Sequence, residues 1–307
     1  MEYRFAAFAD LTAQERQALF DLIKSLGLSD QFSTLDEMVG LMDTEYGKGR
    51  RHVSAWAARP SGGAPEPAGC LAAITAEAVT QGYLYLTGLR LRQSDAGLLP
   101  GLVDAVLALP EVSGEPYRTI RLGLIPARPD LEAAAKEAGF RYLYKALEMR
   151  RPLGGRLPAL PDGLRPEFRT VEPGAVGELI AVHNAAFTGG FNSALLTDEG
   201  ALEWLGDRLG TGLVQIGYAG GRHVCHFIMR VEDGLADLET IGVVPERRGQ
   251  GLARQALIRA FETLRARGDV SSVTLTVIDA NRPALGLYRG AGFEVTKERS
   301  VWYERER

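Results

Sequence analysis

The chain has 307 residues, 46% hydrophobic, 24% charged and 8% aromatic, a globular balance with length for about two domains. Its formal charge of −4 argues against nucleic-acid binding by bulk attraction, no apolar run reaches the roughly 18–20 residues of a membrane helix, and Met1–Arg4 lacks a signal-peptide layout. Two cysteines, Cys70 and Cys225, exclude a disulfide framework and argue against zinc, so a cytoplasmic protein without a metal is expected.

In chain order, Thr12–Leu26 and Thr34–Tyr46 read as amphipathic helices, followed by strands at His52–Arg59 and Gly69–Ala76. A strand–glycine–helix stretch carries Gly88 and Gly97, and the half closes on Ala138-Gly139-Phe140. Pro152–Gly163 holds three prolines and three glycines in twelve residues and reads as a linker. The pattern then repeats. Helices Gly174–Phe187 and Asp198–Leu209, the second capped by Thr197, precede strands Leu213–Ala219 and His223–Val231. Gly242 and Gly251 answer Gly88 and Gly97 at an offset of 154, and Ala291-Gly292-Phe293 answers the earlier tripeptide at 153. Cys70 and Cys225 fall on equivalent strands. A duplicated α/β domain is expected: 1–151, linker 152–163, and 164–307.

The informative stretch lies in the second half. The strand Ala236–Val244 runs into Pro245-Glu246-Arg247-Arg248-Gly249-Gln250-Gly251-Leu252-Ala253 and then a helix to Arg267. Two glycines before a helix N-terminus offer unpaired N–H groups and the positive end of a dipole, a natural pyrophosphate site, with Arg248 adding a cation. A Walker loop would need a Gly-Lys-Ser/Thr ending, and a dinucleotide fingerprint would need Gly or Ala where Arg254 stands. A glycine turn that only packs a helix on a strand is the alternative at this point.

After strand Ser272–Val277 comes Asn281-Arg282-Pro283-Ala284-Leu285-Gly286-Leu287-Tyr288, then Gly292-Phe293. Here the sequence resembles the GNAT superfamily of acyl-CoA-dependent N-acetyltransferases. Arg248-Gly249-Gln250-Gly251-Leu252-Ala253 matches its Arg/Gln-x-x-Gly-x-Gly/Ala motif, and Asn281, Ala284, Leu287-Tyr288 and Gly292-Phe293 match the second motif in order and spacing. The resemblance covers about Arg169–Arg305. It implies an α/β (α+β) fold of two tandem GNAT-type domains, each a mixed, mostly antiparallel central sheet with flanking helices.

The resemblance also implies roles. Backbone amides of Arg248, Gly249, Gln250, Gly251, Leu252 and Ala253 would bind the pyrophosphate of acetyl-CoA. The preceding strand would splay from its neighbour, leaving the main chain at Ile241 and Val243 free for the pantetheine arm. Asn281 would bind that arm or a bridging water, and Tyr288 would protonate the leaving thiolate as general acid. Asp237 and Glu239 lie on one strand face by period two, so either could take the amine's proton through water. Both could equally be solvated carboxylates. His226 reads as a partly buried structural histidine, and His183 could face the acceptor groove. No Ser/His/Asp nucleophile set is present, and direct attack on the thioester in a ternary complex needs none.

The first half keeps the fold signals and loses the cofactor signals. At the repeat offsets Ser94 replaces Arg248, Asp95 replaces Gly249, Leu99 replaces Ala253, Arg128 replaces Asn281 and Ala135 replaces Tyr288. A degenerate first domain before an active second one is expected. That layout is also similar, within the superfamily, to tandem enzymes that acetylate a cysteinyl amine. The function implied is N-acetylation of a small-molecule or peptide amine by a monomer or homodimer that contacts neither nucleic acid nor membrane. A non-catalytic acyl-CoA-binding or regulatory protein is the alternative, and a nucleotide-binding protein a third. The segment Phe187–Ser193 is flexible by composition, with two aromatics suited to closing over an acceptor.

Overall fold

The computed structural model describes residues 3–26, 32–43, 50–57, 66–75, 82–125, 128–156, 159, 163–188 and 195–307. In chain order its elements are β1 (Tyr3–Ala7), α1 (Ala13–Ser25), α2 (Leu35–Asp43), β2 (Arg50–Ala57), β3 (Glu66–Ile74), β4 (Tyr83–Leu91), α3 (Leu99–Leu107), α4 (Pro110–Ser113), β5 (Thr119–Leu124), α5 (Glu132–Glu137) and β6 (Arg141–Pro152). There follow β7 (Glu167–Thr170), α6 (Val176–Phe187), α7 (Asp198–Leu205), β8 (Val214–Ala219), β9 (Arg222–Glu232), β10 (Leu235–Val243), α8 (Leu252–Arg267), β11 (Ser272–Ile278), α9 (Arg282–Gly290) and β12 (Glu294–Glu306). The capping signal at Thr197 acts as the sequence suggests: its side chain accepts from Gly200 N at 3.2 Å to start α7. At α1 the structure adds a reciprocal capping box of Thr12 and Glu15.

Two compact units emerge: Met1–Ala146 with Glu298–Arg307, and Leu147–Lys297. β6 leaves the first unit between Ala146 and Leu147, and β12 leaves the second between Lys297 and Glu298. Each half of the sequence thus ends in a strand segment that belongs to the other half's unit. Boundaries drawn at 1–151 and 164–307 do not anticipate that exchange, because a strand's hydrogen-bonding partners are not written in its own sequence.

In the first unit the strand order is β1-β2-β3-β4-β5-β12-β6. β4 and β5 run parallel, while β1–β2, β2–β3, β3–β4 and β5–β12 are antiparallel. One core lies under α3 and α5 (Leu84, Leu86, Leu102, Leu122), and a second packs Leu19, Leu22 and Met38 against Trp56 and Cys70. In the second unit the order is β12-β6-β11-β10-β9-β8-β7, with β10 and β11 parallel and β7 to β10 successively antiparallel. The α8 side buries Phe227, Met229, Leu238, Leu257, Phe261 and Leu275, and the α6 side buries Leu179, Val182, Ile216 and Ile228. Both are mixed, mostly antiparallel sheets with helices on the faces, the expected fold class.

Cys70 on β3 and Cys225 on β9 are buried free thiols, held protonated because burial pushes them up to about 11 and about 12. Among the described residues no helix is long and apolar enough to cross a membrane.

Candidate active site

The site is built on β10. This strand pairs with β9 along its length, with a register shift between Leu238 and Thr240 that makes Glu239 the extra residue of a bulge. Its parallel pairing with β11 is confined to Leu235↔Ser272, Ala236↔Val273 and Asp237↔Thr274. From Leu238 to Val243 the β11-facing edge of β10 has no strand partner among the described residues. Main-chain groups on that edge are not taken by β11, although Val243 O accepts from Arg248 Nε at 3.4 Å. The bulge also resets which side chains face which way. Ala236 and Leu238 enter the core under α8, and after the extra residue Ile241 and Val243 border that same core. Asp237, Glu239 and Thr240 therefore share the opposite face.

At the end of β10 the chain turns through Pro245–Arg247 and two left-handed glycines, Gly249 (φ 76°) and Gly251 (φ 75°), into α8. No side chain caps α8. Gln255 makes the first helical bond, to Gly251 O at 3.1 Å, so the amides of Leu252, Ala253 and Arg254 have no acceptor within the helix. A Cβ placed on Gly249 meets nothing within 4 Å, so this glycine serves the backbone turn and leaves space in front of the amides. A pyrophosphate fits that cradle of donors and dipole. Arg248 is bonded to main-chain groups. Its amide bonds Pro245 O at 3.2 Å and its guanidinium donates to Ala186 O at 2.8 Å, which ties the end of α6 to the loop.

α9 starts at Asn281, whose Oδ1 accepts from Ala284 N at 3.2 Å, so the oxygen of this residue is already engaged as a helix cap. One and two turns on, Ala284 and Tyr288 border the same core as Ile241 and Val243. The Tyr288 ring meets Phe293 edge-on at 5.8 Å. Its hydroxyl has no hydrogen-bond partner among the described residues, and burial pushes the phenol up to about 12. Tyr288 thus carries its proton at any physiological pH, the state a proton donor requires.

On the other face of β10, Glu239 is side-chain buried to all but 16% and ion-paired with Arg208, while Arg230 approaches its second oxygen at 3.7 Å. Arg208 is itself buried, donating to Leu205 O at 3.0 Å and to Trp204 O at the end of α7. Asp237 sits lower, where β10 is paired on both sides.

His183 of α6 and His226 of β9 meet on this face, Nδ1 to Nε2 at 3.3 Å, with Thr240 Oγ1 3.4 Å from His226 Nε2. Burial, followed by the neighbouring His183, pushes His226 down to about 3, so it is a neutral ring. A Cβ on Gly242 would lie 2.2 Å from His226 Cε1, so the ring requires glycine there. His183 also meets Phe187 at 4.7 Å and Trp204 at 6.2 Å between ring centres. Single-residue reasoning gave the burial of His226 and missed both the pairing and Arg208. The partners lie 43 and 31 positions away, with no local spacing to signal them. Of the expected acceptor segment, residues 189–193 lie outside the described residues, as does 194. Beyond them Asn184 donates to Leu196 O at 3.0 Å and accepts from Leu196 N at 2.8 Å. Among the described residues no group of three His, Cys, Asp or Glu side chains is placed to hold a metal ion.

The model of the acetyltransferase (GNAT) family matches residues 178–293. A mycothiol acetyltransferase of Thermobispora bispora is 34% identical over 209 residues, 64% of this chain and 68% of the relative. One of Kytococcus sedentarius is 28% identical over 295 residues, covering 93% and 92%. Among solved structures, a GCN5-related N-acetyltransferase from Sphaerobacter thermophilus superposes with a TM-score of 0.65 at 21% identity, covering 98% of this chain and 95% of that one. A tandem GNAT protein from the clavulanic acid biosynthesis pathway gives 0.59 at 17% identity, covering 99% and 98%. These two likenesses bear on the fold.

Proposed function

The chain belongs to the GNAT family of acetyltransferases, and from that premise we propose that it moves an acetyl group from acetyl-CoA to a primary amine, the acetyl thioester being what the cosubstrate supplies. The observation that carries this is the parting of β10 from β11 after Asp237, directly before the uncapped two-glycine turn into α8. The amides from Gly249 to Ala253 bind the pyrophosphate, and Arg248 holds the loop to α6. The free edge at Ile241 and Val243 bonds the pantetheine arm and polarises the thioester carbonyl. Asn281 contributes its amide group to the arm or to a bridging water while its oxygen caps α9. The amine reaches the carbonyl from the Thr240 face and passes its proton through water to Glu239, with Asp237 the second candidate. Tyr288 gives its proton to the departing thiolate from the α9 side.

The relatives named mycothiol acetyltransferases support a cysteinyl amine as the acceptor to test first. The test is acetyl-CoA-dependent release of CoA thiol across cysteinyl amines, aminosugars, polyamines and aminoglycosides. Turnover with one amine class at a kcat/KM well above the rest is expected. Tight CoA binding with no turnover on any amine would instead make the chain a non-catalytic acyl-CoA-binding protein.

A further inference from the structure

In the second unit, an open cavity of about 370 Å³ is lined by Arg151, Pro152, Gly155, Arg156, Gly290, Ala291 and Gly292. It lies at the C-terminal end of α9, the opposite end from Asn281. Arg151 is 5% exposed, its guanidinium lies over Phe261 at 4.6 Å, Nη2 donates to Arg156 O at 2.6 Å, and Nη1 is buried without a partner. Arg265 donates to Leu153 O at 3.0 Å and to Gly155 O, which brings a third guanidinium to the same turn. None of the three has a carboxylate partner among the described residues. A buried, uncompensated cation is costly and is normally paired.

The first unit shows what a purely structural arginine does at this place. Arg305, 154 positions on, lies over Phe140 at 4.9 Å and donates Nη1 to Ala138 O at 2.5 Å, so its guanidinium is spent on the carbonyl before the matching glycine. Arg151 makes no bond to the matching Ala291 O; its Nη2 goes to Arg156 O, and Nη1 is left without a partner. Glycine also keeps the space beside it open: a Cβ on Gly155 would stand 3.2 Å from Arg151 Nη2, and one on Gly292 3.6 Å from its Nε.

We propose that this cavity binds a small oxyanion of the phosphate or sulfate class, held by Arg151 and Arg156, at a site separate from the pyrophosphate loop. The volume exceeds that of one tetrahedral anion, so an ester of modest size is accommodated. A planar guanidinium fork suits such oxygens.

The test is calorimetric titration of inorganic phosphate into the full chain saturated with CoA, at fixed ionic strength against chloride. One saturable phosphate site is expected, weakened at least tenfold by Arg156→Ala and by Gly155→Val, with acetyl transfer unchanged in both variants. Glycerol phosphate run alongside separates the sources: tighter binding than phosphate assigns an ester, equal or weaker binding the free ion. Phosphate heat no different from chloride, or binding indifferent to both substitutions, overturns the proposal.

Discussion

The two units repeat one plan, and they differ where a cofactor would lie. In the second, β10 and β11 stay paired only to Asp237. In the first, the parallel pairing of β4 with β5 covers Tyr83, Leu84, Tyr85 and Leu86, which at the offset of 154 answer Asp237 to Thr240. The parallel pairing thus runs three residues further in the first unit, and Thr87–Leu89, which answer Ile241–Val243, lie beyond it. Beyond it, the two left-handed glycines of the second unit answer Asp95 (φ −108°) and Gly97 in a 3₁₀ turn, Gln93–Leu98, that runs directly into α3. Arg128, in the place of Asn281, donates to Leu91 O at 2.8 Å and bonds the end of β4 to the segment after β5. Tyr83 and Tyr85 stand where Asp237 and Glu239 do, with Arg121 stacked 3.7 Å from Tyr83. The two units therefore differ in backbone as well as in side chains: in strand pairing as far as Leu86 and in the turn before the helix.

That contrast can be broken most severely by cutting the halves apart. Arg165–Arg307 lacks Leu147–Pro152, a strand segment of the second unit that carries the buried Met149. We expect this fragment to be insoluble or inactive, because it exposes an unpaired strand edge and opened core together. Equal expression, melting temperature and acetyl transfer beside the full chain would show that the exchanged strand is dispensable. Next, Gly251→Glu puts a Cβ on a left-handed backbone and a carboxylate at the helix N-terminus, and should weaken CoA binding by roughly a hundredfold or more. Equilibrium titration of the unchanged protein should give one CoA per chain; two equivalent sites would erase the distinction between the units.

Tyr288→Phe should lower kcat by about 10²-fold with CoA affinity held, since general acid catalysis is typically worth 10²–10⁴. An unchanged kcat from neutral to high pH would place the proton elsewhere. A smaller effect tests the other face. His226 answers Ala72 of the first unit, each packed beside its bulge-region glycine. His226 is held near 3 in the fold against 6.5 unfolded, so unfolding takes up a proton between those values. Stability from this group is complete above pH 6.5 and falls as pH drops through the window. In His226→Gln the pH slope of unfolding free energy should flatten by up to about 1.4 kcal/mol per pH unit. Identical slopes would mean the ring is not held neutral. Least of all, Arg128→Ala should leave one CoA site per chain, because the first unit still lacks the two left-handed glycines before its helix.

Much of this was legible in the chain itself. The capping residue Thr197, alternation along β10, and the glycine and tripeptide offsets specify helices, strands and a repeat through local chemistry. The Arg248–Ala253 and Asn281–Phe293 motifs lie in the half that the family's model matches, and they are legible because their residues stand close together in sequence. Other features belong to long-range pairing. The exchange of β6 and β12, the clasp of Arg208 on Glu239, the His183–His226 contact, Arg248 turned to Ala186 and the bonded edge of β4 each join groups with no local sequence relation. A strand's pattern says which face is buried, but which neighbour accepts its hydrogen bonds is settled only when the sheet assembles. The sequence by itself therefore determined the repeat, the fold class and which half carries the two-glycine turn and the family's motifs. The tertiary structure alone decided which backbone groups are left free to bind, because that depends on partners recruited from distant parts of the chain.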